Sequence, residues 1–225
     1  MVKAKFSPVV PRGQQGPQYS RNVLGTSVAD TLREAIGARG EPATIAEATR
    51  DVNANHYSVD YAEYSMNCQR CVVAYELQRR GYDVEALATY RGDMLPQVAY
   101  YDNSRGTWEG RWKGAFQGAR TINVGMQGNT SSTERAVIGN LESNMQGFGT
   151  GSRGVVQVFW RGGGGHVFNV ENDGGRIRYM DALTGKSVNI SDYIHLAKTG
   201  SVNLVRTDNL RVSERAKNFV TKKRR

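Results

Sequence analysis

The segment Met66–Gly81, MNCQRCVVAYELQRRG, contains both cysteines of the chain and predicts a helix that begins at Cys68. Asn67 is a favourable N-cap, because its side chain can accept a hydrogen bond from an unpaired N–H group of the first turn. Gly81 is a typical stop after the last turn. The residues that share one face at helical spacing are Cys68, Cys71, Val72, Tyr75 and Arg79.

Composition places the chain among globular proteins of one domain with extensions. It has 225 residues, 39% hydrophobic and 23% charged residues, and a formal net charge of +9. No apolar run is long enough to cross a membrane, and the N-terminus lacks the apolar core of a signal peptide. Two cysteines three positions apart cannot build a secreted disulfide framework, which favours a reducing compartment or an assembled particle.

The two ends of the chain differ from its centre. Residues 1–52 predict an N-terminal arm with short helices, because the first part mixes Pro, Gly, Gln and Ser without periodicity. Residues 211–225 predict a basic tail, which ends in Lys222, Lys223, Arg224 and Arg225. Such a tail either contacts nucleic acid weakly or stays solvated.

Strands dominate the second half of the sequence. Gly154–Trp160 is strongly β-prone, and His166–Glu171 and Arg176–Asp181 flank a hairpin turn at Asn172–Gly175. A further strand is predicted at Val202–Val205. Helices come first and antiparallel strands follow, so the sequence predicts an α+β fold in which N-terminal helices pack on an antiparallel β-sheet.

The cysteine pair allows four interpretations. A structural zinc site needs four ligands, and His56, His166 and His195 are scattered singly, so no metal site is predicted. A redox CxxC motif normally follows a strand, whereas the segment before Cys68 is polar and rich in tyrosine. Burial as a small apolar side chain suits Cys71, which lies one turn into the helix.

A nucleophile is the fourth interpretation, and it suits Cys68. At the start of a helix, unpaired N–H groups and the helix dipole favour a thiolate and can hold an oxyanion. A nucleophile also needs a base, and that base needs an orienting group. His166 begins one strand of the predicted hairpin and Asp181 ends the next, so the two side chains are expected to meet.

Three segments resemble the papain-fold toxin family, which is described as glutamine deamidase-like. They are NCQRCVVAYELQRRGYDVEA (67–86), GGHVFNVEN (164–172) and RIRYMDALTG (176–185). The resemblance implies a papain-like cysteine hydrolase core over about residues 53–210. It also implies Cys68 as nucleophile, His166 as general base and acid, and Asp181 as the group that orients His166. Cys71 stays open as the alternative nucleophile.

The resemblance also implies a function, namely deamidation of glutamine side chains in a protein substrate without a cofactor. Backbone N–H groups near Cys68, together with the Asn67 side chain, are the expected oxyanion donors. Peptide cleavage and acyl transfer use the same steps and stay open. Members of this family occur in phage genomes beside head proteins, which implies a location in the virion or the host cytoplasm and capsid proteins as partners. A structural virion protein with a papain-like fold is the alternative.

Overall fold

The structure is a computed structural model that describes residues 34, 36, 37, 39–53, 62–89, 99–102 and 107–223, with only the backbone at 99–102 and 107–109. The α-helices are α1 (Ile45–Asp51), α2 (Ala62–Ser65), α3 (Cys68–Gln78), α4 (Glu134–Phe148) and α5 (Ile190–Leu196). The strands are β1 (Val84–Ala86), β2 (Ala99–Asp102), β3 (Thr107–Gly110), β4 (Phe116–Gln117), β5 (Ile122–Asn123), β6 (Met126–Gln127), β7 (Thr130–Ser131), β8 (Arg153–Phe159), β9 (Gly165–Asp173), β10 (Arg176–Asp181), β11 (Lys186–Ser187), β12 (Asn203–Arg206), β13 (Arg211–Val212) and β14 (Val220–Lys222). Short 3₁₀ helices span Arg111–Ala115, Thr199–Ser201 and Glu214–Asn218.

A six-stranded antiparallel sheet with the order β11-β10-β9-β8-β12-β5 organises the fold. Helix α3 packs on one face of the sheet against β9, and α4 packs on the other face against β9 and β10. Each face carries its own hydrophobic core, because the apolar side chains of a strand alternate between its two sides. The predicted α+β fold, with a helix from the N-terminal half packed on an antiparallel sheet, is confirmed.

The β9–β10 hairpin turns where the sequence predicts it. Gly174 and Gly175 have φ angles of 63° and 94°, a left-handed backbone that glycine adopts without a Cβ clash. Asp173 therefore pairs with Arg176, and Asn169 pairs with Met180 farther along. This register brings the beginning of β9 and the end of β10 to the same edge of the hairpin.

Helix α3 is buried on all sides, although its sequence predicts only one apolar face. Every residue from Cys68 to Gln78 is buried, including Gln69, Arg70 and Glu76. The sheet covers one side of the helix, while the Arg111–Ala115 turn and β14 cover others. Its polar side chains therefore need partners inside the protein, since an unpaired buried polar group is costly.

Glu76 is the centre of the largest of these buried polar clusters. Its carboxylate accepts hydrogen bonds from Arg80 Nε at 2.7 Å, Arg153 Nε and Nη2 at 3.0 Å each, and Thr207 Oγ1 at 3.2 Å. Burial alone would raise the pKa of Glu76, yet the two guanidinium groups lower it to about 2. The cluster ties the central helix to β8 and to the segment that follows β12.

The C-terminal segment corrects the predicted division of the chain. Residues 211–222 form β13, a 3₁₀ turn and β14, and β14 pairs with β1. Val212, Ala216, Phe219 and Val220 are buried in the same core as α3. The segment is therefore part of the domain and not a basic tail, because its few apolar residues complete the cover of α3.

The N-terminal boundary of the folded unit also differs from the predicted boundary at residue 53. Ile36, Ala48 and Val52 are buried in the α3 core, so the folded unit begins before residue 53. Helix α1 lies within the predicted arm and begins with a capping box formed by Thr44 and Glu47. The rest of the predicted arm, residues 1–33, lies outside the described residues, as do Arg224 and Arg225.

Candidate active site

Cys68 begins α3 at the point where the helix meets the edge of the β9–β10 hairpin. Arg70 N and Cys71 N both donate to Asn67 O, which satisfies two N–H groups of the first turn. Within the described part of the chain, the Cys68 N–H donates to no acceptor. The thiol and this N–H therefore lie together at the positive end of an 11-residue helix.

His166, at the beginning of β9, joins Cys68 to Asp181. Its imidazole lies beside the Cys68 side chain, close enough to interact with it electrostatically, and its Nε2 lies 3.1 Å from Asp181 Oδ2. An ionised carboxylate only accepts hydrogen bonds, so Nε2–H is the donor and Nδ1 is the ring nitrogen left for Cys68. The structure thus brings together the three residues that the sequence singles out as a catalytic set.

All three side chains are shielded from water, with relative exposures of 6% for Cys68, 8% for His166 and 2% for Asp181. Burial alone would lower the pKa of His166, yet its hydrogen bonds with Asp181 and Cys68 raise it to about 10. An imidazolium that is stable at neutral pH is the counter-ion that a thiolate needs. The arrangement therefore keeps a cationic imidazole beside the Cys68 side chain.

Asp181 is held by three donors. Its Oδ1 accepts the Leu183 N–H at 3.0 Å, and its Oδ2 accepts Tyr193 Oη–H at 2.9 Å as well as the His166 ring. Burial would raise the pKa of Asp181, but His166, Tyr193 and Leu183 together lower it. The carboxylate therefore stays ionised and fixed in orientation, as an orienting group requires.

Tyr193 is a site residue that the sequence does not reveal. It lies on α5, and its ring packs within 6.0 Å of His166 and 5.2 Å of Phe168, measured between centroids. Half-buried Trp160 stacks on the His166 ring at 6.0 Å and 22°. No sequence signal identifies these contacts, because an aromatic residue in a short helix is usually a packing residue.

Cys71 occupies a different environment from Cys68. It is 1% exposed, and burial, followed by the charges of Cys68 and Asp181, raises the pKa of its thiol well above the ordinary value. Cys71 is therefore kept as a neutral thiol inside the α3 core. Both cysteines are free, with no disulfide between them.

Asn67 differs from its predicted role. Its side chain makes no capping hydrogen bond, and instead Nδ2 donates to Asn53 Oδ1 at 3.0 Å and to Leu87 O at 2.8 Å. Both N–H groups of the amide are therefore engaged, so the side chain has no donor left for an oxyanion. The Cys68 N–H is the better candidate for that task.

The engaged Asn67 amide instead contributes to a buried polar chain. Asn53 Nδ2 donates to Leu183 O at 2.8 Å, and the Leu183 N–H donates to Asp181. Asn53 and Asn67 are each only 1% exposed. The chain of hydrogen bonds connects the residue before the nucleophile candidate to the turn that carries the orienting carboxylate.

Neither a metal nor a membrane segment is indicated by the geometry. Among the residues that the structure describes, no three His, Cys, Asp or Glu side chains come together as a metal site requires. None of the described helices combines the length and the apolar composition that crossing a bilayer demands.

Comparison with known proteins identifies the family. The sequence matches the family described as papain fold toxin 1, glutamine deamidase, over residues 66–186. This stretch is more than half of the chain and includes Cys68, His166 and Asp181. No curated protein and no solved structure matches the chain. The chain therefore belongs to the papain fold toxin 1 family of glutamine deamidases.

Proposed function

We propose that this protein is a cysteine hydrolase that deamidates glutamine side chains of a protein substrate, with Cys68 as nucleophile, His166 as general base and acid, and Asp181 as the orienting group. The observation that carries the proposal is the cluster of Cys68, His166 and Asp181 at the N-terminus of α3, in which the His166 imidazole lies beside the Cys68 side chain and its Nε2 is 3.1 Å from Asp181 Oδ2. Membership of the glutamine deamidase family supports the reaction type.

The reaction proceeds through a thioester. His166 takes the proton of the Cys68 thiol, and the resulting thiolate attacks the carboxamide carbon. The C=O electron pair moves onto oxygen, where the Cys68 N–H donates to the oxyanion. The tetrahedral intermediate collapses, the C–N bond breaks, and His166 Nδ1 gives its proton to the departing ammonia. Water then attacks the thioester and loses a proton to His166, after which the C–S bond breaks and a glutamate side chain remains.

Tyr193 acts in this scheme as a positioning residue. Its hydroxyl shares Asp181 Oδ2 with His166. Because Asp181 Oδ2 accepts hydrogen bonds from both Tyr193 and His166, the carboxylate is less free to rotate. The imidazole that pairs with it can therefore take fewer orientations. The pH dependence of the site is therefore sensitive to the Tyr193 hydroxyl.

Thiol reactivity tests the assignment of the nucleophile. We expect iodoacetamide to label Cys68 and not Cys71 at neutral pH, and His166→Ala to slow that labelling strongly. Cys71→Ala is the matched control and is expected to keep the rapid labelling. Labelling of Cys71 alone would transfer the nucleophile to that residue, and two unreactive thiols would refute the catalytic proposal.

A second assay distinguishes deamidation from peptide cleavage and acyl transfer. A protected Gln-Gly dipeptide and a glutamine-rich protein such as casein serve as probes, and released ammonia is measured beside the masses of the products. Deamidation predicts ammonia and the mass change of an amide converted to an acid, with the backbone intact. Shorter peptides would indicate a protease, and products joined to an added amine would indicate an acyltransferase.

Carriage in a virion and contact with capsid proteins belong to the same proposal and rest on the family resemblance alone. The basic residues at the C-terminus support only a weak contact with nucleic acid. Lys223 Nζ lies 3.6 Å from Asp51 Oδ2, and Lys222 belongs to β14. Mass spectrometry of purified phage particles tests carriage, and detection of the protein only outside the particles would contradict it.

A further inference from the structure

A basic cavity lies between α1 and the β10–β11 hairpin, away from the thiol. Its volume is about 820 Å³, and it is called here the arginine cavity after four of the residues that line it, Arg50, Arg79, Arg176 and Arg178. Asp173 is the acidic residue in its lining, and Ser187 adds a hydroxyl group. A cavity of this size accommodates a ligand as large as several amino-acid side chains.

The guanidinium groups that line the cavity differ in how many of their nitrogens already donate hydrogen bonds within the protein. Arg79 is engaged at all three nitrogens, by both oxygens of Glu171 and by the Ala43 carbonyl. Among the described residues, Arg50 and Arg178 each donate a hydrogen bond through Nε alone. Arg50 Nε lies 2.9 Å from Asp51 Oδ1, and Arg178 Nε lies 2.6 Å from Asp173 Oδ2.

Three arginines therefore keep donors for a ligand. Among the described residues, the terminal amino groups of Arg50 and Arg178 and the whole guanidinium of Arg176 donate to no acceptor. The side chains of Arg50 and Arg178 are 62% and 43% exposed, so a ligand in the solvent reaches them. Such planar donors match the paired oxygens of a carboxylate or a phosphate.

The cavity is adjacent to the candidate catalytic set through one strand. Along β10, Arg176, Arg178 and Met180 line the cavity, and the next residue, Asp181, contacts His166. Met180 pairs with Ser187, which is also in the cavity lining, and Asp181 pairs with Lys186. A ligand in the cavity is thus held by the same hairpin that carries the orienting carboxylate.

The other wall of the cavity lies outside the segment that matches the family. Helix α1 precedes that segment, whereas β10 lies inside it. The matched segment therefore supplies one side of the cavity, and α1 supplies the other. An element outside the segment that carries the catalytic candidates can affect binding without changing the chemistry.

We propose that the arginine cavity binds an acidic segment of the protein substrate, through carboxylates that pair with Arg50, Arg176 and Arg178. This inference rests on the proposed function for the identity of the substrate as a protein. The formal net charge of +9 adds a long-range attraction for an acidic partner. A concave cavity with separate guanidinium groups suits an extended peptide better than the continuous backbone of a nucleic acid.

Binding of a fluorescein-labelled hexaglutamate peptide, followed by fluorescence anisotropy at fixed ionic strength, tests the proposal. The full chain carries Cys68→Ala, so the result does not depend on catalysis. We expect saturable binding that is weakened about tenfold by Arg176→Gln together with Arg178→Gln. The matched control is Arg120→Gln together with Arg135→Gln, which removes the same charge at two exposed positions outside the cavity.

The control pair distinguishes binding in the cavity from attraction to the net charge of the protein. Equal weakening by the control pair, or no weakening by the cavity pair, would attribute binding to net charge and overturn the proposal. Binding of a thymidine oligonucleotide in place of the peptide would overturn it as well, whereas a phosphoserine peptide that competes for the cavity would support it. Binding that persists while the iodoacetamide test fails would reject the proposed catalysis and leave the cavity assignment intact.

Discussion

Tyr193 and His166 donate to the same oxygen of Asp181, at 2.9 Å and 3.1 Å respectively. Tyr193 lies beyond residues 66–186, the segment that matches the family. The Oδ2 atom thus has two donors, while Oδ1 is held by the Leu183 N–H. The Asp181 carboxylate is consequently held in part by an element outside the matched segment.

Replacement of Tyr193 by Phe is expected to shift the acid limb of the pH profile for iodoacetamide labelling of Cys68. The Tyr193 hydrogen bond is one of the interactions that lower the pKa of Asp181, and its loss raises that pKa. Asp181 then becomes protonated at a higher pH, so reactivity begins to fall at a higher pH than in the wild type.

Tyr179→Phe is the matched control for that experiment. The Tyr179 hydroxyl is also buried, but within the described residues it has no hydrogen-bond partner. Its removal is expected to leave the acid limb unchanged. If both variants move the limb equally, a general loosening of the aromatic packing, and not the hydroxyl contact, is responsible.

The stability that His166 contributes is expected to decrease at alkaline pH. Its pKa is raised from 6.5 to about 10 in the folded protein, so the contribution is complete below pH 6.5 and is lost as the pH rises through about 10. The difference in the free energy of unfolding between wild type and His166→Gln, measured with urea, should therefore narrow across this range. Each unit of pKa shift corresponds to about 1.36 kcal/mol. A constant difference across this range would contradict the ion pair.

Replacement of Glu76 by Ala is expected to destabilise the protein by about 3–5 kcal/mol, because it leaves Arg80 and Arg153 buried without their carboxylate. Glu134→Ala is the control: Glu134 pairs with Arg161 at the same 3.0 Å distance but at the surface, where loss of the pair costs about 0–1 kcal/mol. Chemical denaturation measures both. A similar decrease in the free energy of unfolding for the two variants would show that burial does not determine how much an ion pair stabilises the protein.

Phe219→Ala is expected to reduce stability by about 3–5 kcal/mol, since Phe219 is buried against α3 by the C-terminal segment. Lys217→Ala, two residues earlier and exposed at the surface, should change stability by no more than about 0.5 kcal/mol. Thermal melts followed by circular dichroism compare the two. An unchanged melting temperature for Phe219→Ala would indicate that the segment is a separate tail.

Local patterns in the sequence predict several elements well. The hairpin at residues 172–175 follows from adjacent glycines at the two positions that require positive φ. The end of α3 follows from Gly81, where a Cβ would lie only 2.2 Å from Gly40 O. The meeting of His166 and Asp181 follows from the hairpin, because the turn sets the pairing of the two strands.

Other features need contacts between distant parts of the chain. The Asn67 side chain is a good cap by its residue type, but its Oδ1 accepts a hydrogen bond from Thr89 Oγ1 and makes none to the helix. Its Nδ2 donates to Asn53 and Leu87, which are distant in sequence. The lysine- and arginine-rich end of the sequence predicts a tail, yet Phe219 and Val220 are buried in the same hydrophobic core as α3. Composition alone cannot reveal such a partner.

The sequence by itself determined the fold class, the helix at Cys68 and the hairpin that joins His166 to Asp181, because each depends on neighbours within a few residues or one tight turn. Only the tertiary structure decided which polar groups at the site remain available to take part in catalysis. Burial on every side of α3 keeps Cys71 a neutral thiol. Contacts with distant segments engage the Asn67 amide and add Tyr193 to Asp181. Those outcomes depend on desolvation and long-range packing, which no local pattern encodes.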